Sequence, residues 1–317
     1  MLRFFRSFFC CTFDHLFLNS HNELQMKEKK RTAKIVQLLI KILISAAVLW
    51  YIFTKIDLVE IGQAMSKANI GLLLVTLFIY IISQVASSYR LNILFRLIPV
   101  ELNEFTNLKL YWLGLFYNLF LPGGVGGDGF KIYLLNHYSK VPVKRSVGAI
   151  FADRLSGLTI IVTFILALLF FIDYSFPYKS FVLVTIPLPV IVFYVFMKWV
   201  LPHFIKAFSS ITLWSVFVQS VQMMSVICIL YALGIKELYR YDEYLFLFFL
   251  SSVMASVPVT LGGIGAREFT FLMGAEYLDL QPDMAIAISL LFFIVSVIPA
   301  IPGVLFAIKP RRILLKR

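Results

Sequence analysis

Long apolar runs recur along the whole chain, and they restrict its fold more than any other feature. A helix that crosses a bilayer needs about 20 largely apolar residues. Six segments meet this length: residues 35–54, 70–88, 146–172, 180–198, 211–233 and 284–308. Charged residues make up 15% of the chain, whereas soluble domains carry about 25%. The sequence therefore predicts an all-α polytopic membrane protein with about six full spans, and it excludes a soluble enzyme or a disordered chain.

Two shorter apolar stretches, residues 108–121 and 244–259, differ from the six spans. Each runs into a cluster of glycines and then into a second short amphipathic segment. This pattern predicts two re-entrant hairpins, which enter the membrane and turn back. Three full spans separate the hairpins. Because this number is odd, the hairpins must enter from opposite sides, as in an inverted repeat.

The distribution of positive charge predicts the orientation. With the N-terminus in the cytoplasm, the cytoplasmic segments carry 21 of the 29 Lys and Arg residues and the outer segments carry 6. Such a bias is typical of cytoplasmic loops and termini. We therefore expect a transmembrane domain over 33–310 between two basic cytoplasmic tails, 1–32 and 311–317. Met26 opens a basic cap of the usual kind, so translation is expected to start there.

The glycine clusters align with each other without a gap at an offset of 139 residues. Gly123, Gly124 and Gly126 match Gly262, Gly263 and Gly265, and Gly127 extends the first cluster. Matching glycine-interrupted segments in two halves are typical of transporters with inverted repeats, here about 70–172 and 211–308, whose substrate site lies between the broken helices. The alternative is that these glycines only allow helices to pack closely.

Charged residues in apolar segments are costly and usually face a cavity or a partner. Five such residues are candidates for a binding site: Asp128, Asp153, Arg154, Arg267 and Glu268. Neighbours on a helix point about 100° apart. Asp153 and Arg154 are therefore each expected to have a separate partner.

Asp128 and Arg267 occupy equivalent positions in the two glycine clusters. We expect them to pair across the pseudo-twofold axis, either as a pair for which a substrate competes or as a structural lock. Lys131 lies one turn beyond Asp128 and is either a phosphate contact or, on the stronger reading, an ordinary interfacial lysine. Arg90 is interpreted only as a marker of the cytoplasmic side.

The sequence contains no catalytic or metal-binding motif. The three cysteines and four histidines are scattered, and no nucleophile motif is present. Basic patches interleaved with aromatic residues, which bind nucleic acid, are also missing. We expect no enzymatic activity, cofactor, metal or nucleic-acid partner. Helices that begin after Gly126 and Gly265 direct free N–H groups into the predicted cavity, which favours an anion such as a lipid phosphate.

Three motifs occur in order along the chain: NLFLPGGVGGDGFK (118–131), SVGAIFADRLSGL (146–158) and ASVPVTLGGIGAREF (255–269). With them the chain resembles the transmembrane region of lysylphosphatidylglycerol synthases, a flippase-like domain, over about 33–310. The resemblance implies a membrane protein of bacteria or archaea, in the cytoplasmic membrane, that moves or binds a phospholipid or a polyprenyl-phosphate-linked lipid. It also implies that the five charged candidates line a central cavity.

The sequence ends at Arg317, so the resemblance does not extend to the soluble synthase domain, and tRNA-dependent lysine transfer is not expected. An alternative function stays open at this point. The protein could be a membrane accessory subunit that presents lipid to a separately encoded aminoacyl- or glycosyltransferase.

Overall fold

The computed structural model describes residues 43, 50–52, 54–100, 102–120, 126–172, 179–235, 240–256, 265–308, 310 and 313. These residues form α-helices joined by turns and short 3₁₀ segments, which confirms the predicted all-α fold. The helices are α1 Leu58–Lys67, α2 Ile70–Phe95, α3 Glu104–Phe120, α4 Gly126–Ser139, α5 Val143–Phe171, α6 Lys179–Thr185, α7 Leu188–Val200, α8 Phe208–Ala232, α9 Tyr241–Ser256, α10 Ala266–Tyr277, α11 Pro282–Val297 and α12 Gly303–Ile308.

Within the described part of the chain, five helical segments are long and apolar enough to cross a membrane. They are Ile70–Phe95, Val143–Phe171, Val182–Val200, Pro202–Ala232 and Pro282–Ala300. Each corresponds to one of the predicted spans. The sixth prediction, 35–54, lies almost entirely outside the described residues. The protein is therefore a multi-pass membrane protein.

Two pairs of short helices replace full spans at the predicted hairpins. The first hairpin consists of α3 and α4, with 17 and 14 residues, and the second consists of α9 and α10, with 16 and 12 residues. The two helices of each hairpin pack against each other. The intervening segments, 121–125 and 257–264, lie outside the described residues. As predicted, α4 begins at Gly126 and α10 follows Gly265.

The offset of 139 residues relates all four helical segments of each half and not only the glycine clusters. Adding 139 to the bounds of α2, Ile70–Phe95, gives 209–234, and α8 spans Phe208–Ala232. In the same way α3 corresponds to α9, α4 to α10, and α5 to the segment from α11 to α12. The packing follows this correspondence, since α5 contacts α9 as α12 contacts α3.

The equivalent helices α2 and α8 lie side by side and run in opposite directions. At one end, the Asn69 N–H donates to the Ala232 carbonyl at 2.9 Å. At the other end, the Tyr89 and Trp214 rings lie 5.5 Å apart. An operation that superposes one half on the other must therefore reverse the chain direction. This antiparallel packing is the geometry of an inverted repeat.

Each hairpin is packed into its own apolar core. The first core surrounds α3 and α4 and includes the fully buried Leu113 and Leu135. The second surrounds α9 and α10 and includes Phe249 and Leu272, which are also fully buried. Large apolar side chains such as Leu213, 71% exposed, cover the outer surface, as expected where the solvent is lipid.

Candidate functional site: a buried ion network at the first hairpin

Two glycines bring α3 and α4 into direct backbone contact at the base of the site. A Cβ added at Gly127 would lie 2.0 Å from the Gly114 carbonyl oxygen, so a side chain does not fit there. The Gly127 N–H donates to Asn118 Oδ1 at 2.8 Å, which satisfies a free donor in the first turn of α4. This close crossing holds Asp128, the next residue, in the interior.

Asp128 is 4% exposed and contacts two cations. Its Oδ1 lies 2.7 Å from Lys131 Nζ, and its Oδ2 accepts a hydrogen bond from Arg154 Nε. The expected pair of Asp128 with Arg267 is therefore wrong. The side chain of Asp128 is directed towards α5 and its own helix, and residues nearer in the fold supply both positive charges.

Lys131 is also buried, at 5% exposure, so the interpretation as an interfacial lysine is wrong. The reason lies in α3, because a Cβ at Gly114 would approach Lys131 Cε to 2.8 Å. The absence of a side chain at Gly114 leaves room for the lysine stem to turn inward. Its ammonium group then lies 5.1 Å from the centroid of the Tyr111 ring, within the range of a cation–π interaction.

Arg90 and Asp153 form a second buried ion pair with bidentate geometry. Arg90 Nε and Nη2 donate to the two carboxylate oxygens of Asp153 at 2.7 and 3.2 Å. Arg90 Nη1 donates to Ser215 Oγ at 2.9 Å. Arg90 belongs to α2, Asp153 to α5 and Ser215 to α8. The guanidinium thus joins three helices and both halves of the repeat.

The two ionic groups meet at α5, because Asp153 of one and Arg154 of the other are neighbours on that helix, and we refer to them together as the ion network. As predicted, each has its own partner, Arg90 for Asp153 and Asp128 for Arg154. Among the described residues, the network contains the cations Arg90, Lys131 and Arg154 and the carboxylates Asp128 and Asp153. The Arg154 side chain is 39% exposed, whereas the side chains of Asp128 and Lys131 are each 6% exposed. The accessible part of the network is therefore cationic.

The structure places Glu268 and Arg267 in the second hairpin, in different roles. Glu268 Oε2 accepts the Gly265 N–H at 2.8 Å, and Ser289 Oγ donates to Oε1 at 3.3 Å. Glu268 therefore caps the start of its own helix. The Arg267 guanidinium lies 4.9 Å from the centroid of the Phe292 ring. Gly123, Gly124, Gly262 and Gly263 lie outside the described residues.

Arg90 is the member of the network that sequence reasoning missed. The predicted span ended at residue 88, but α2 continues to Phe95, so Arg90 lies inside a helix and not in a loop. One residue in the sequence is connected with the burial of Arg90. This is Gly157, which follows Asp153 by one helical turn. A Cβ at Gly157 would lie 3.3 Å from Arg90 Nη1, so this glycine makes room for the guanidinium.

Within the described residues, no group of three or more His, Cys, Asp or Glu side chains could hold a metal ion. The long apolar helices and the two antiparallel halves define the chain as a polytopic membrane protein built as an inverted repeat. The family model of the lysylphosphatidylglycerol synthase TM region matches residues 38–208 and 200–303, so the chain belongs to that family. No curated protein and no solved structure matches the chain.

Proposed function

We propose that the protein is a lipid translocase that binds the phosphate headgroup of a membrane lipid at Arg154. The observation that carries this proposal is the buried ion network, in which the Arg154 side chain is the accessible part among the described residues. Ionisable groups inside a membrane domain are costly and usually mark a pathway or a binding site. A guanidinium that is partly accessible favours an anionic ligand over a neutral or cationic one.

Arg154 has the geometry that phosphate recognition requires. A guanidinium can bind two phosphate oxygens at once through parallel N–H donors. Contact with Asp128 holds the Arg154 side chain in place, and Lys131 neutralises part of the carboxylate charge. A lipid phosphate therefore competes with Asp128 for a guanidinium that is already oriented, and Asp128 keeps Lys131 as its partner.

The inverted repeat supplies a route between the two leaflets. In transporters of this architecture, one half moves against the other around a site near the middle of the bilayer. Movement of a lipid between leaflets makes and breaks no covalent bond, so the proposed activity is not enzymatic. We place it in the cytoplasmic membrane of a bacterium or archaeon, with both termini in the cytoplasm.

The test uses purified protein in liposomes that carry a fluorescent phosphatidylglycerol in both leaflets. A reductant that cannot cross the bilayer quenches the outer leaflet at once, and further loss of fluorescence reports translocation. We expect the wild-type protein to accelerate this loss and Arg154→Ala to return it to the rate of empty liposomes. Arg96→Ala is the matched control, because Arg96 also pairs with a carboxylate but its side chain is 60% exposed.

Two results would refute the proposal. Arg154→Ala liposomes that lose fluorescence as fast as wild type would exclude Arg154 from the site. Wild-type liposomes no faster than empty ones would exclude translocation by the protein alone and would favour the accessory role beside a separate transferase.

A further inference from the structure

An apolar groove of about 580 Å³ runs along the second hairpin, between α9, α10 and the end of α5. Nearly all of its lining is carbon. Thr270 contributes a hydroxyl, but this group already donates to the Ala266 carbonyl at 2.7 Å. The groove therefore offers almost no free hydrogen-bonding group to a ligand.

Two positions along the groove carry smaller residues than their equivalents in the first half. Thr270 and Gly274 line the groove, and subtracting the offset of 139 gives Lys131 and Leu135. Lys131 is 5% exposed and Leu135 is fully buried, so both side chains fill the interior of the first hairpin. At Gly274 the place of a side chain is taken by Leu247, since an added Cβ would lie 2.1 Å from Leu247 Cδ2, so the two hairpins fill these equivalent positions differently.

The length of the groove matches the depth of one leaflet. Along α9 the lining extends from Phe246 to Met254, about 12 Å at 1.5 Å per residue, and along α10 from Phe269 to Leu278, about 13 Å. The hydrocarbon core of a bilayer is about 30 Å thick, or about 15 Å per leaflet. One end of the groove lies where α5 and α10 end, at Ile172 and Leu278, and the other lies at the inner end of the hairpin.

Water is a poor occupant of such a space, because apolar cavities stay dry. The edges of the groove are open at the protein surface, since Tyr277 is 69% and Met254 47% exposed, and in a membrane domain we expect this apolar surface to face lipid. The abundant apolar molecule at these edges is a phospholipid. We infer that the groove binds one acyl chain of a phospholipid, whose headgroup lies at the membrane surface beside Tyr277 and whose chain end lies beside Met254. This inference does not depend on translocation, because a lipid held permanently would fill the groove equally well.

The test uses phosphatidylglycerol vesicles with a trace of lipid that carries a photoreactive diazirine on one acyl chain. With the diazirine at the chain end, illumination and peptide mass spectrometry are expected to find adducts at Met254 or Phe269. With the diazirine next to the ester, adducts are expected at Tyr277. Met273→Trp places a large side chain in the groove and is expected to abolish the inner adducts. Met224→Trp, at a position on α8 that is 54% exposed, is expected to leave them unchanged.

Adducts that are equally frequent on α8 and in the groove, and that Met273→Trp does not reduce, would overturn the inference. If Met273→Trp does not fold, as judged by its thermal melt, Leu250→Phe repeats the test with a smaller increase in volume. Groove adducts in a protein that does not translocate lipid would refute the proposed function alone. Translocation without groove adducts would refute the acyl-chain site alone.

Discussion

The two halves of the molecule share one fold and differ in what they bury at equivalent positions. In the first half, Asp153 and Arg90 form a bidentate ion pair. The offset of 139 places Phe292 and Ile229 at these positions in the second half, and both are buried, at 4% and 0% exposure. One half therefore buries a charged pair where the other buries two apolar side chains of its core.

The hairpin residues show the same division. Asp128 lies between two cations, whereas its equivalent, Arg267, packs over the ring of Phe292. Phe292, whose ring Arg267 contacts, is the residue of the second half that is equivalent to Asp153 in the first. An inverted repeat can be symmetric in backbone while each half keeps a separate task. Here the first half carries the candidate headgroup site and the second carries the apolar groove.

The largest expected loss of stability comes from breaking the ion pair between Arg90 and Asp153, which has no equivalent at the matching positions of the second half. Removing one partner of a buried pair leaves an uncompensated charge and costs about 3–5 kcal/mol, so Asp153→Leu is expected to destabilise the protein by this amount. The double variant Arg90→Leu/Asp153→Leu imitates the apolar second half and should regain much of the loss. Unfolding in detergent, followed by circular dichroism, measures both. Arg90→Leu alone is measured beside them, and a double variant that loses the sum of the Asp153→Leu and Arg90→Leu effects would contradict this interpretation.

The glycine crossing of the first hairpin gives the next effect. Gly127→Ala forces a Cβ to within 2.0 Å of the Gly114 carbonyl oxygen, and overpacking of this kind costs about 1–3 kcal/mol. Gly129→Ala is the control on the same helix, because a Cβ there would meet no described atom within 4 Å. We expect a lower thermal midpoint for Gly127→Ala only. Equal midpoints for the two variants would show that α3 and α4 do not pack this closely.

The sequence predicted the architecture because the bilayer imposes simple lengths and charge biases. Five described spans, the two short helix pairs and the helix starts at Gly126 and after Gly265 were all predicted. The separate partners of Asp153 and Arg154 also followed from helix geometry. These predictions depend on local periodicity and on the alignment of the two halves, which a single sequence contains.

The partners of the charges could not be predicted, because they depend on which helices meet. Asp128 was assigned to Arg267 by symmetry, but α5 brings Arg154 closer. Lys131 was judged interfacial because the space that Gly114 provides is visible only when α3 and α4 are placed together. Symmetry predicts which backbone segments correspond, and it does not predict that the side chains at those positions interact.

A smaller effect is expected for Arg267, where the second half replaces an ion pair by a cation–π contact. Such contacts contribute about 0.5–2 kcal/mol, so Arg267→Leu should lower the unfolding free energy by no more than this amount. Asp153→Leu should lower the unfolding free energy clearly more than Arg267→Leu when both are measured by unfolding in detergent. A loss for Arg267→Leu equal to that of Asp153→Leu would show that the charge of Arg267 is as important as the network in the first half.

The smallest effects test a feature on which the two halves agree. Glu104 and Glu243 are equivalent at an offset of 139. Each lies in the first turn of its hairpin and pairs with an arginine, Arg96 or Arg240. Surface ion pairs contribute about 0–1 kcal/mol, so Glu104→Gln is expected to cost less than about 1 kcal/mol.

Glu243→Gln should cost more than Glu104→Gln, because the Glu243 side chain is 15% exposed against 34% for Glu104. Arg240 remains fixed in this variant, since it also donates to the carbonyls of Leu278 and Asp279 at 2.7 and 2.8 Å. The loss is therefore confined to the partly buried contact between Arg240 and Glu243. Raising the salt concentration during unfolding should reduce the cost of Glu104→Gln and leave that of Glu243→Gln nearly unchanged, because exposed pairs are screened more strongly. If salt reduced the cost of both substitutions equally, the two ion pairs would be equally exposed to solvent, contrary to this prediction.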